Sequence, residues 1–244
     1  MKDHIHTIPV LDALRDPGHC PFCTMYKQLD QNAVDFIMGP AYMDEDIRDV
    51  TNVAGFCDDH LRKLYAVQNR LGAALLLHTH FKHFQKDITV SERGGYTSGG
   101  GLFKKTESVA GRIAERITSQ QSRCYLCEKI EGTFNRYLDT FFYMWPREKE
   151  MIPLVQSLPG FCMPHYGAML KAAGASLSGK QLEEFLAVVV PLQQRAMDKL
   201  AGDLDWFIQK FDYRNADAPW KDSKGAIVRA MAMLKGYVNE TDEG

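Results

Sequence analysis

Two short cysteine-containing motifs, each written twice along the chain, constrain this sequence more than any other feature. Cys-x2-Cys occurs as CPFC and again as CYLC, and Gly-Phe-Cys-x2-His occurs as GFCDDH and again as GFCMPH. The motifs alternate, so each half of the chain carries one of each, and together they use all 6 cysteines. The candidate ligands that they supply are Cys20, Cys23, Cys57, His60, Cys124, Cys127, Cys162 and His165.

The spacing of these residues predicts metal binding. Two ligands three positions apart can reach one ion when the first stands just before a helix and the second lies in its first turn. Three thiolates and one imidazole form a tetrahedral donor set that suits zinc, and four protein ligands leave no open position for chemistry. Helix N-termini also favour the thiolate form. We therefore expect two structural Zn²⁺ ions per chain.

The repetition also predicts how the ligands pair. We expect Cys20 and Cys23 to join Cys57 and His60, with the remaining four residues forming the second site, because a duplicated unit should close its own site. A swapped arrangement, in which CPFC joins CMPH, is the alternative if the repeats interlock. The glycines that precede the Cys-x2-His pairs are expected at positive φ, and the phenylalanines after them are expected to point into the core.

The apolar pattern predicts an all-α protein made of two tandem helical repeats, each closed by a Cys3His metal site, with further helices at the C-terminus. Apolar residues recur at helical spacing after each motif, and no stretch shows sustained alternation. After CDDH one long pattern runs from Leu61 through Leu75 to Phe84. The expected organisation is a first repeat over 1–90, a Gly-rich linker over 91–107, a second repeat over 108–176 and C-terminal helices packed on the body over 177–244.

Composition and charge exclude several classes of function. The formal net charge is -2, which argues against a nucleic-acid partner. No apolar run approaches the roughly 20 residues of a membrane helix, and the first residues lack the pattern of a signal peptide. We therefore expect a cytoplasmic protein, whose cysteines bind metal instead of forming disulfides. A histidine cluster at His78, His80 and His83 lacks an acidic partner and is interpreted as an ordinary helix face.

The chain also resembles a known but uncharacterised family. The run from CPFCTMYKQLDQ to AALLLHTH, together with FDYRNADAPW near the end, is similar to a family from anaerobic Gram-positive bacteria that is described only as a domain of unknown function. The resemblance spans nearly the whole chain, and all eight ligand positions match. It implies the architecture and the metal sites, and it implies no activity.

Three function classes remain open at this point. The first is a non-catalytic, metal-stapled scaffold that binds an unknown protein or small-molecule partner, since no residue set indicates a reaction. The second is an iron–sulfur protein for electron transfer or redox sensing, because Cys3His also holds some clusters, although the spacing matches neither common ferredoxin run. The third is an enzyme that uses the groove between the repeats, although no residue set indicates its reaction. A dithiol redox role for CPFC would require a βαβ context that the pattern does not contain.

Overall fold

The computed structural model describes residues 6–16, 18, 20–92 and 109–236, with only the backbone of residues 90–92. This part of the chain contains eleven α-helices and no strand, which confirms the all-α prediction. None of its helices combines the length and the apolar character that a membrane span needs. The helices are α1 (Thr7–Arg15), α2 (Pro21–Met38), α3 (Glu45–Ala54), α4 (Asp58–Ala66), α5 (Arg70–Glu92), α6 (Val109–Gln121), α7 (Tyr125–Met144), α8 (Met151–Gln156), α9 (Met163–Ser176), α10 (Gly179–Gln209) and α11 (Ala226–Lys235).

The chain divides into two compact units. Unit 1 combines Met1–Lys27 with Phe134–Gly244, and unit 2 is Gln28–Thr133. The boundaries fall inside α2 and α7, so each of these helices begins in one unit and ends in the other. The predicted linker lies almost wholly outside the described residues, and the predicted repeat boundaries stay a prediction.

Aromatic side chains dominate the core of unit 1. Phe22, Phe141 and Phe185 are completely buried, and the rings of Phe22 and Phe141 meet edge to face with their centroids 5.6 Å apart. Large rings of this kind contribute much of the hydrophobic free energy of a core. Because Phe22 lies between Cys20 and Cys23 in sequence, its burial anchors the start of α2 in this core.

The segment after α10 is organised around one buried cation. Lys210 follows the last turn of α10 and is 8% exposed. Its ammonium group donates to the backbone oxygens of Asn215, Ala216 and Ala218 at 2.6, 2.8 and 2.6 Å. The Trp220 ring lies 5.3 Å from the same nitrogen. These contacts satisfy every proton of the ammonium group and fix the turn within FDYRNADAPW.

In unit 2 the long pattern after CDDH forms two helices, so the prediction of one continuous helix is wrong. α4 ends at Ala66, and α5 begins at Arg70. Between them Gln68 adopts a φ of 66°, which interrupts helical geometry. The Asn69 side chain then accepts a hydrogen bond from the Gly72 amide at 2.9 Å, which caps the start of α5.

Candidate metal centres

The candidate ligands stand at four helix starts, as their spacing predicts. Cys20 and Cys124 precede α2 and α7 directly, while Cys57 and Cys162 are the residues before α4 and α9. The second ligand of each pair lies in the first turn of the same helix, where amide groups without helical partners point outward. These amides and the helix dipole favour the negative charge of thiolates.

The first cluster, which we call the Cys20 site, lies in unit 1 and consists of Cys20, Cys23, Cys162 and His165. The three sulfurs surround Nδ1 of His165 at 3.8 Å for Cys20, 3.3 Å for Cys23 and 3.2 Å for Cys162. The sulfurs of Cys23 and Cys162 are 3.5 Å apart. All three cysteines are buried, so the donor atoms converge on one enclosed point.

The second cluster, which we call the Cys57 site, lies in unit 2 and consists of Cys57, His60, Cys124 and Cys127. Nδ1 of His60 lies 3.2 Å from the sulfur of Cys57, 3.3 Å from that of Cys124 and 3.4 Å from that of Cys127. The sulfurs of Cys57 and Cys127 are 3.8 Å apart. The two clusters therefore have the same donor set and the same histidine nitrogen facing the centre.

The pairing of the ligands differs from the sequence-based expectation. The prediction that CPFC joins CDDH is wrong, because CPFC joins CMPH and CYLC joins CDDH. The physical reason is the direction of α2. This helix carries the chain from unit 1 into unit 2, where Cys57 and His60 lie, and the chain returns to unit 1 only within α7. The ligands that complete the site at the start of α2 therefore come from the start of α9, much later in the sequence.

The donor atoms fit a single tetrahedral ion. Bonds of about 2.3 Å to sulfur and about 2.0–2.1 Å to nitrogen give tetrahedron edges of about 3.8 Å between two sulfurs and about 3.6 Å between sulfur and nitrogen. The sulfurs of Cys23 and Cys162 are 3.5 Å apart and those of Cys57 and Cys127 are 3.8 Å apart. The sulfur–nitrogen distances in the two sites run from 3.2 to 3.8 Å. All six cysteines are free, so no disulfide competes for the sulfurs.

The Gly-Phe step before each Cys-x2-His pair has the predicted backbone conformation. Gly55 has a φ of 62° and Gly160 a φ of 121°, a region that side chains disfavour. A Cβ on Gly160 would lie 2.6 Å from the Cβ of Ala196. Phe161 is buried as predicted, whereas Phe56 is only half-buried. At position 160 glycine is therefore required both for its backbone conformation and for its small size.

Proximity of the thiols shifts their proton affinities in the Cys20 site. Hydrogen bonds from Cys162 and Cys23 lower the pKa of the Cys20 thiol far below its ordinary value. Cys162 and Cys20 raise the pKa of the Cys23 thiol, because they disfavour a further negative charge beside them. Burial lowers the pKa of His165, but hydrogen bonds and charge interactions with Cys162 and Cys20 outweigh it and raise that pKa to about 9. A bound cation would relieve this repulsion.

The Cys57 site shows the same electrostatic pattern. Burial opposes ionisation of Cys124, but hydrogen bonds from His60 and from backbone amides lower the pKa of this thiol to about 6. Burial and the Cys124 thiolate raise the pKa of the Cys127 thiol. Burial also lowers the pKa of His60, while Cys124 and Asp30 outweigh it and raise that pKa to about 9. One thiolate is thus favoured at neutral pH before any cation binds.

The surroundings of the two histidines differ. Nε2 of His60 contacts a carboxylate oxygen of Asp30 at 2.8 Å, and Lys63 Nζ bridges Asp30 and Asp59 at 2.8 and 2.7 Å. A carboxylate on the outer nitrogen of a histidine orients the other nitrogen toward a metal. Asp30 is a functional residue that the ligand motifs do not predict. The only sequence feature that could have pointed to it is an acidic residue in the interior of α2, and this position lies outside the ligand motifs.

The Cys20 site has an aromatic and backbone environment instead. The ring centroid of His165 lies 5.1 Å from that of Phe134 and 6.1 Å from those of both Phe22 and Tyr26. At Gly236, which ends α11, a Cβ would lie 3.7 Å from the sulfur of Cys23 and 3.9 Å from that of Cys162. The end of α11 thus covers the sulfurs of this site.

Among the described residues the histidines of α5 belong to none of the candidate metal-binding groups. Nδ1 of His80 donates to the backbone oxygen of Asn52 at 2.9 Å, and its ring stacks on Phe84. A Cβ on Gly55 would lie 2.9 Å from Cε1 of His80. His80 therefore supports the turn that leads into Cys57.

Fold and clusters together define an all-helical protein with two Cys3His groups suited to metal ions. Residues 1–241 match the family described as Family of unknown function (DUF6062), so the chain belongs to that family. Comparison with the curated proteins and with the solved structures finds no match.

Proposed function

We propose that this protein is a helical scaffold without catalytic function, stapled by two structural zinc ions, that binds a protein or small-molecule partner. The observation that carries the proposal is the convergence of eight ligands into two closed Cys3His sets with the edge lengths of a single-ion tetrahedron. A closed set offers no position for water or substrate, which is typical of structural sites. When bound, zinc would link the start of one helix to the start of another.

The spacing of the donors supports a single ion over an iron–sulfur cluster. All four ligand atoms of each site lie within 4.8 Å of one another. In a [4Fe–4S] cluster each protein ligand binds a different iron atom, and in a [2Fe–2S] cluster the four ligands are divided between two irons. In both cases some ligand atoms must stand farther apart than around one ion. Six free cysteines also suit a reducing compartment, which supports the proposed cytoplasmic location.

Exposed apolar side chains support a binding role. Ile208, Phe211 and Tyr213, at the end of α10 and just beyond it, are 69%, 76% and 87% exposed. Large apolar groups close together on a surface are typical of interaction sites. Unit 1 therefore offers a surface for a partner, while the ions hold the helix starts.

The test is the metal content and ligand environment of protein purified without oxygen. We expect two zinc ions per chain by elemental analysis, no visible absorption, and an X-ray absorption spectrum with about three sulfur and one nitrogen neighbour per zinc. His60→Gln should lower the zinc content, whereas His78→Gln, on the exposed face of α5, should not. Iron with a reducible visible chromophore, or a chain without metal and with six titratable thiols, would contradict the proposal.

A further inference from the structure

The two sites differ at one corresponding position. Asp30 in α2 and Phe134 in α7 follow the second cysteine of their Cys-x2-Cys motifs by the same number of residues. Asp30 contacts the outer nitrogen of His60, whereas Phe134 packs against the ring of His165. One histidine is therefore held by a charged hydrogen-bond acceptor, and the other is held by aromatic packing.

The cysteines of the two sites also differ in burial. In the Cys57 site Cys57 and Cys127 are half-buried and Cys124 is 5% exposed. The three cysteines of the Cys20 site are all buried, at 9%, 7% and 3% exposed. The histidines differ in the opposite sense, because His60 is 3% exposed and His165 is half-buried. Gly236 additionally lies against two sulfurs of the Cys20 site. A competing ligand must approach the ion or a coordinating sulfur before it can remove the ion. Cys57 and Cys127 allow such an approach to a coordinating sulfur, whereas every sulfur of the Cys20 site belongs to a buried cysteine.

We propose that the Cys57 site is an exchange site for a thiophilic divalent cation, with Asp30 as the residue that positions His60, and that the Cys20 site releases its ion much more slowly. This inference rests on the proposed metal binding. Asp30 strengthens ion binding at a site where two cysteines are half-buried. It accepts a hydrogen bond from Nε2 of His60, which keeps Nδ1 of His60 directed at the ion, and it adds negative charge beside the ion. The site thus combines tight binding with access for an exchanging thiol ligand.

The test is the release of zinc from the zinc-loaded full chain to an excess of a coloured chelator. We expect two phases of equal amplitude, with the fast phase at least about tenfold faster, and Cys57→Ser should lack that phase. Asp30→Ala should accelerate the fast phase and weaken that site by about 10- to 100-fold, the usual effect of losing such a carboxylate. Asp30→Asn, which keeps an oxygen acceptor, should restore part of the loss.

Two controls separate positioning from simple stability. Asp59→Asn removes the other carboxylate partner of Lys63. Because an exposed ion pair contributes little, this variant should change the rates of both phases by no more than about twofold. The slow phase of the Cys20 site should not change in any of these variants. Cobalt loaded into the Cys57 site should show an altered visible spectrum in Asp30→Ala, because the coordinating histidine is no longer oriented.

The outcomes distinguish this inference from the proposed function. Two bound ions that leave in one phase, or a fast phase that belongs to the Cys20 site, would overturn the exchange proposal and leave metal binding intact. An unchanged fast phase in Asp30→Ala would overturn the role of Asp30. A chain that binds no ion would overturn both proposals.

Discussion

The side-chain amide of Gln193 is expected to stabilise the turn before Cys162 by an amount that can be worked out from its contacts. Its oxygen accepts from the backbone N–H of Phe161 at 2.9 Å, and its nitrogen donates to the backbone oxygen of Phe161 at 3.0 Å. Gln193 is 2% exposed, so water cannot replace it. Replacement by Met keeps the length and removes both bonds. Each unpaired buried group costs about 1–3 kcal/mol, so we expect the two groups together to lower the free energy of unfolding by about 2–6 kcal/mol.

The neighbouring residue provides a matched control for urea denaturation of the zinc-loaded protein. Gln194 is exposed and donates to Asp198 one helical turn later at 2.9 Å, a contact worth about 0.2–0.5 kcal/mol. Gln193→Met should therefore be several times more destabilising than Gln194→Met. Equal losses in the two variants would refute the assignment of a structural role to the buried amide.

Three further predictions concern unit 1 and the ions. Lys210→Met should lower the free energy of unfolding by about 2–4 kcal/mol, because three backbone oxygens lose a charged donor, whereas Lys180→Met at an exposed position should be neutral within about 0.5 kcal/mol. Gly160→Ala should destabilise the protein by more than about 2 kcal/mol through its clash and positive φ. Gly202→Ala, in an open part of α10, should stabilise it by about 0.5–1 kcal/mol, and both variants are checked by denaturation. Chelation should lower the melting temperature by about 10 °C or more while most helical circular dichroism persists at room temperature, and an unmoved melting curve would contradict a structural role for the ions.

Local features of the sites could be predicted from the sequence, because they depend on neighbouring residues. The ligand spacing predicts four helix starts, and Gly160 before Phe161 predicts a turn at positive φ. The break between α4 and α5 was missed because no Gly or Pro marks it. Asn69 was the available signal, since its side chain caps α5.

The pairing of ligands could not be predicted from the same motifs. Both pairings use the same eight residues, and the choice depends on the path that the chain takes after α2 and α7. Asp30 was missed for a related reason: it reaches His60 from the interior of a helix whose first turn belongs to the other site. Contacts of this kind depend on the direction of helices, which local patterns do not contain.

The zinc content of two double variants tests the central claim most directly. Cys20→Ser combined with Cys162→Ser removes two ligands from one site, so the chain should retain one ion. Cys20→Ser combined with Cys57→Ser damages both sites, so the chain should retain none under dialysis against a moderate chelator. The reverse result, with the Cys20 and Cys57 combination retaining one ion and the Cys20 and Cys162 combination retaining none, would contradict the ligand pairing on which this account rests.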